Sequence, residues 1–232
     1  MPPPDAAGPT LRAGEARPAG PVTHYELFAG LRDAGVAYLV AGATALVLHG
    51  VPRLTPDVDL LVDPDPANLA RLARLLAAWG YGERGGEAPP GEGAAVRRFR
   101  HPTAALEELD VVAVAAPEFA RLQAQAASAA LVDVAIPLVG ADDLRDRKEQ
   151  EAGGAGRDDA AGLVALAAIR AGDDGGDDET RLAQIRKFSR WSVAARLDWL
   201  LATARLAKGL SPDAKPMTRG LQRRRPWTER RR

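Results

Sequence analysis

The sequence contains no cysteine. Disulfide staples and thiolate metal sites are therefore excluded. It has no apolar run long enough to cross a membrane. Residues 1–21 are rich in Pro, Ala and Gly and lack the apolar centre of a signal peptide. Net charge is absent as well: 31 Lys and Arg balance 31 Asp and Glu, which argues against a broadly basic protein that coats nucleic acid. These absences lead us to expect a cytoplasmic protein with no membrane partner. What is present is ordinary for a globular chain. Hydrophobic residues make up 46% and charged residues 27% of 232 positions, enough for one domain with a real core and a small appendage.

The most informative stretch is Tyr38–Val62, YLVAGATALVLHGVPRLTPDVDLLV. Tyr38–Ala41 suits a buried strand, Ala43–His49 a helix, and Leu60–Val62 the end of a second buried strand. Asp57 and Asp59 precede that apolar end at i and i+2, so they share one face of the strand. Two carboxylates on an apolar strand call for positive compensation, and a divalent cation such as Mg²⁺ takes hard oxygen ligands of this kind. Gly42 opens the helix, where free N–H groups and the positive end of the dipole attract phosphate. A phosphate cradle beside a carboxylate pair points to an enzyme that uses a nucleoside triphosphate.

Along the rest of the chain, the spacing predicts helices at Thr23–Ala34 (with a Thr23/Glu26 capping box), Ala67–Trp79, Pro117–Ser128, Asp142–Ala152, Asp158–Arg170, Thr180–Lys187 and Trp191–Ala207. Strands are expected at Val36–Ala41, Ala95–His101, Leu109–Ala115 and Leu131–Leu138. Gly82–Gly93 reads as a surface loop, and Gly153–Gly156 as a break between helices. Five segments result: a disordered N-terminus over 1–21, a main domain over 22–170, an acidic linker over 171–179, a helical appendage over 180–210 and a disordered basic tail over 211–232. The arginines of that tail either keep the chain soluble or form an arm that contacts RNA.

The motif residues resemble the DNA polymerase β-like nucleotidyltransferase superfamily, whose signature is an apolar residue, Gly, then Gly or Ser, and after about a dozen residues Asp-apolar-Asp/Glu. Here it reads Ala41-Gly42-Ala43, then Asp57-Val58-Asp59. His49-Gly50, Arg53, Thr55, Asp57 and Asp59 resemble, more narrowly, the abortive-infection and toxin–antitoxin branch. Lys148 and Gly156-Arg157-Asp158-Asp159 are similar to a later element of that branch. Three departures stand out. Ala43 replaces the usual second Gly or Ser, Asp158 stands where the branch has Lys, and Gly162 stands where it often has Asp; Gly153-Gly154-Ala155 reads as an insertion.

The resemblance implies an α+β fold, a mixed sheet flanked by helices. It implies two Mg²⁺ ions held by Asp57, Asp59 and a third carboxylate, Asp110, with Glu108 as the fallback. The reaction implied moves a nucleoside monophosphate from an NTP to a hydroxyl on a tRNA 3′ end, a protein or a small molecule. The catalytic set is Asp57, Asp59, Asp110 and Lys148, and the nucleotide-binding set Gly42, Ala43, Arg53, Thr55 and Asp159. A toxin role, with an antitoxin protein as partner, comes from the same resemblance. The residues themselves leave alternatives. Arg53 binds phosphate or makes a structural salt bridge. Lys148 serves the site or is one charge on a solvated helix, and Asp159 serves it or is a helix N-terminal carboxylate. His49 reads as a helix-end residue. A catalytically inactive binding module with the same fold is the alternative to an enzyme.

Overall fold

The computed structural model describes residues 23–84, 96–101, 106, 108–151, 153–173 and 179–210. The expected N-terminal segment and basic tail, and most of the acidic linker, lie outside these residues. The chain opens with α1 (His24–Asp33), whose N-cap Thr23 and Glu26 form the expected capping box. It continues through β1 (Tyr38–Ala41), α2 (Gly42–His49), β2 (Asp57–Val62) and α3 (Pro66–Ala78). β3 (Gly82–Arg84), β4 (Val96–Arg100), β5 (Glu108–Ala113), α4 (Ala116–Ala124), β6 (Ala127–Leu131) and β7 (Val134–Leu138) follow. Four helices complete it: α5 (Ala141–Gln150), α6 (Gly154–Ala171), α7 (Glu179–Ser189) and α8 (Val193–Leu210).

The seven strands form one mixed sheet in the order β3-β4-β5-β2-β1-β7-β6. β2 is antiparallel to β1 and parallel to β5. The central strands are apolar on both faces beyond their first residues, with Leu39, Val40, Leu60, Val62 and Leu109 fully buried, as expected of strands covered by helices on both sides. Asn68 on α3 locks this centre. Its side chain bridges both backbone groups of Ala37 and the carbonyl of Asp63, fixing where β1 begins and β2 ends. A buried amide with its donors and acceptor engaged specifies register at little cost.

Four expectations require correction. Leu131–Leu138 is not one strand but half of a hairpin, β6 turning into β7 at Val132 and Asp133. Val132 turns there with φ 55, a conformation β-branched residues rarely adopt, so the turn carries no Gly or Asn signal. The helix expected to reach Ser128 ends at Ala124, because the alanine-rich segment after it pairs as edge strand β6 instead. Helical propensity yields here to tertiary pairing. Gly82–Arg84 is not loop but a short edge strand against β4. Finally, Gly154–Gly156 do not break the helix: α6 starts at Gly154, after an extended Glu151 and Gly153 at φ 115.

The last two helices are built onto the main body. Val47 of α2, Phe188 of α7 and Leu200 of α8 make a small apolar cluster with Leu54, Trp191 and Trp199. Ile185 and Leu197 belong to the same core as the sheet. Arg196 is buried and donates to the carbonyls of Val47 and Leu48 at 3.3 and 2.6 Å, capping the end of α2 with a charge of the favourable sign. Among the described residues, no helix is long and apolar enough to cross a membrane.

Candidate active site

β2 presents Asp57 and Asp59 on one face. β5 lies beside it in register, pairing Asp59 with Asp110 and Asp57 with Glu108. Directly paired residues point the same way, so Asp110 joins the two aspartates and Glu108 flanks them. The register extends in both directions. Ala41 of β1 pairs with Asp59, and Arg98 of β4 pairs with Asp110. One lateral row therefore crosses four strands: Ala41, Asp59, Asp110, Arg98. A shorter row beside it reads Asp57, Glu108, Arg100.

Gly42 closes the first row. It has φ +57, and a Cβ there would lie 1.8 Å from Asp59 Oδ2. Glycine is needed twice over, for the backbone turn and for the carboxylate that occupies the space of a side chain. The N-cap residue of α2, Ala41, makes no side-chain cap hydrogen bond, so the first N–H groups of the helix suit a ligand beside Asp59. Ala43 supplies the next N–H. Thr44, which sequence reasoning passed over, donates from Oγ1 to the Asp57 carbonyl at 3.0 Å and ties the first turn of α2 to the start of β2. Its one signal was a hydroxyl in the middle of an apolar helix.

The electrostatics follow from the packing. The Asp59 carboxyl is pushed up to about 7, first by burial, then by Asp57 and Asp110, with Lys148 opposing. The Asp110 carboxyl is raised by burial, with Arg98 opposing. Such a cluster is short of positive charge. As the side chains stand, Asp57 accepts a hydrogen bond from the Thr55 hydroxyl, and Asp110 Oδ2 lies 3.5 Å from Arg98 Nε. Among the described residues no three metal-binding side chains close tightly enough to cage an ion. The donor set nonetheless fits Mg²⁺. Three carboxylates project from neighbouring strands, Asp59 is raised by the other two with only Lys148 opposing, and the missing Cβ at Gly42 gives the Asp59 carboxylate its room beside the helix N-terminus.

The second half of the site lies on α5 and α6. Lys148 is buried, not a charge on a solvated face. Its Nζ lies 2.7 Å from Glu151 Oε1 and 3.6 Å from Asp159 Oδ2. Arg53 Nε stands 2.8 Å from Asp159 Oδ1, ion-pair distance, although its N–H is not aimed as a hydrogen bond. Asp159 thus sits between two cations. Its carboxyl is raised by burial and drawn back by Arg53 and then Lys148. Lys148 acts on both Asp59 and Asp159 and so joins the two halves. The join depends on Gly156, where a Cβ would lie 2.4 Å from the Lys148 carbonyl oxygen and 2.9 Å from Glu151 Cβ. The close crossing that brings α6 to Lys148 lies at Gly156, just after the Gly153-Gly154-Ala155 segment read as an insertion, whose two glycines have nothing within 4 Å of a Cβ. Gly162 has a packing role too, since a Cβ there would meet Val51 at 2.8 Å.

The structure therefore gathers Gly42, Ala43, Thr55, Asp57, Asp59 and Asp110 at one spot and links Lys148 to them. Arg53 and Asp159 stand behind Lys148, with Arg53 in the salt-bridge arrangement. Glu151 was not legible in advance, because no local pattern distinguishes it from its charged neighbours. Histidine 49 belongs elsewhere: His49 Nε2 is 2.8 Å from the Val139 carbonyl, and burial lowers its pKa.

No protein-family profile matches the chain, and no curated protein matches it. Among solved structures it is similar to the lincosamide antibiotic adenylyltransferase LnuA in its lincomycin-bound form, with 16% identity and a TM-score of 0.45 over 63% of this chain and 99% of that one. It is also similar to an antigenic nucleotidyltransferase-like protein from Paracoccidioides brasiliensis, with 19% identity and a TM-score of 0.45 over 77% and 95% of the two chains. A third is JHP933 from Helicobacter pylori, with 14% identity and a TM-score of 0.36 over 79% and 93%. At these identities and scores none of them assigns a residue or a substrate.

Proposed function

We propose that this protein is a Mg²⁺-dependent nucleotidyltransferase. The observation that carries the reading is the row in which an uncapped helix N-terminus at Gly42 adjoins Asp59 and Asp110, with Asp57 on the same face. The acceptor hydroxyl gives up its proton to solvent as its oxygen forms a bond to the α-phosphorus, the bond from that phosphorus to the α–β bridging oxygen breaks, and pyrophosphate leaves. The N–H groups of Gly42 and Ala43 hold the oxygens of the leaving phosphates. Asp57, Asp59 and Asp110 would hold the metal, which supplies charge neutralisation and a more acidic acceptor hydroxyl when bound. Lys148 adds positive charge beside Asp59, and the Arg53–Asp159 pair keeps its ammonium in place.

The acceptor classes remain RNA, protein and small molecule, and the same resemblance carries a toxin role with an antitoxin as partner. The test is a labelling screen: the protein with each NTP labelled at the α-phosphate, Mg²⁺, and RNA or lysate. Label should move to one acceptor class, and Asp57→Ala should abolish it. No transfer and no NTP binding, with Asp57→Ala behaving as wild type, sinks the proposal. Growth arrest on expression, relieved by Asp57→Ala, would support the toxin role.

One observation favours a second reading, a nucleotide-binding module without turnover. Asp57 and Asp110 already have partners, Thr55 and Arg98. Tight NTP binding with no transfer to any acceptor would select it.

A further inference from the structure

The geometry points to Glu151 as a displaceable counter-ion: its carboxylate holds the Lys148 ammonium and yields it to the incoming triphosphate. The inference rests on the nucleotidyltransferase reading and adds a residue that sets how tightly the site holds phosphate. It begins from Lys148, which is buried and faces two carboxylates. The two are not equivalent. The Asp159 side chain is 6% exposed, stands 3.6 Å from the ammonium and is also claimed by Arg53 at 2.8 Å. The Glu151 side chain is 50% exposed and closer, accepting a hydrogen bond from Lys148 Nζ at 2.7 Å. Asp159 is the anchor, and Glu151 is the partner that can leave.

The backbone around Glu151 joins a fixed main chain to an exposed side chain. Glu151 is the extended residue that ends α5. A Cβ at Gly156 would lie 2.9 Å from the Glu151 Cβ and 3.4 Å from its carbonyl oxygen, so α6 packs closely on this main chain. The carboxylate beyond it can swing to solvent about its own side-chain bonds. The pair also sits beside the carboxylate row, since the Asp59 carboxyl is drawn down by Lys148 and pushed up by Glu151. Phosphates held at the first N–H groups of α2 lie against that same carboxyl. A half-exposed ion pair contributes at most about fivefold to an equilibrium constant. A triphosphate carries several charges and replaces the pair with charge-assisted hydrogen bonds of its own. After transfer Glu151 competes for the ammonium again, which favours the departure of pyrophosphate.

The four α,β-methylene NTPs are titrated with Mg²⁺ into the full chain by calorimetry. The tightest is carried into the variants, with pyrophosphate as a second probe. Glu151→Gln should tighten both about fivefold. Glu151→Asp separates contact from charge. It keeps the negative charge, but its arm is one methylene too short for the 2.7 Å contact, so it should tighten both about threefold. Glu149→Gln removes a charge from the same helix and should leave both within about twofold. Three results overturn this inference alone, with wild type still binding: unchanged or weaker binding in Glu151→Gln, wild-type affinity in Glu151→Asp, or an equal gain in Glu149→Gln. Failure of wild type to bind any analogue or pyrophosphate overturns the nucleotidyltransferase reading and this inference with it.

Discussion

Asp59 is the residue on which the account turns. It is half-buried beside Asp57 and Asp110, and its carboxyl is pushed up to about 7 from the usual value near 4, first by loss of solvent and then by those two carboxylates. The sign of the consequence is fixed by linkage. Below pH 4 the carboxyl is protonated in folded and unfolded chains alike, so the folded state carries no penalty. As pH rises through about 7 the unfolded chain has already lost the proton, and the folded chain loses stability by up to about 4 kcal/mol. We therefore predict that without Mg²⁺ the Tm falls between pH 4 and 7.5, and that Asp59→Asn flattens this fall and raises the Tm at pH 7.5. Added Mg²⁺ should raise the wild-type Tm and leave Asp59→Asn unchanged; scanning calorimetry across pH with and without the ion checks both. Lys148 makes a second test. Lys148→Met removes a buried cation from Asp159 and should cost about 3 kcal/mol and at least tenfold in kcat, read by chemical denaturation and transfer assays. Asp57 and Asp59 were legible because period-two spacing makes two carboxylates coincide on an apolar strand. Arg53 was not resolved, because a phosphate ligand and a salt bridge to Asp159 look alike in sequence.

The site is assembled by two close approaches between elements, each through a glycine. Gly42 lets α2 begin against the Asp59 carboxylate, and Gly156 lets α6 cross α5 at Lys148. Gly42→Ala places a methyl group on Asp59 Oδ2 in a backbone region that alanine disfavours. It should abolish transfer and lower NTP affinity at least tenfold, measured by calorimetric titration. Gly156→Ala should destabilise by about 1–3 kcal/mol and reduce kcat while leaving NTP affinity near wild type. The first glycine could be read, because it follows a strand and opens a helix. The second could not. In sequence Gly153-Gly154-Ala155-Gly156 looks like a helix break, and only the α5–α6 crossing gives Gly156 its purpose. The β6–β7 hairpin was missed for a related reason: its turn places Val132 at φ 55, and sequence rules expect Gly or Asn there. Val132→Asn should accordingly raise the Tm.

At the scale of the whole molecule, the sheet order carries the functional argument, since it lines up residues from four strands that are 69 positions apart in sequence between Ala41 and Asp110. Motif reading supplied Gly42 and the β2 pair. It supplied Asp110 through the resemblance, and strand pairing then set it beside Asp59. The last two helices, read as a small appendage packing on the main domain, place Ile185 and Leu197 in the sheet's core and Arg196 at the end of α2. The protein should therefore unfold in one transition in calorimetry; two separate transitions would contradict this packing. The central claim, that the row at Gly42, Asp59 and Asp110 transfers a nucleoside monophosphate, is tested most directly by asking which phosphate moves. With an acceptor present, NTP labelled at the α-phosphate should leave its label on the acceptor, and NTP labelled at the γ-phosphate should release labelled pyrophosphate, both requiring Mg²⁺ and both lost in Asp59→Asn. Label moving to the acceptor from the γ-phosphate, or transfer that survives Asp59→Asn, would contradict the account.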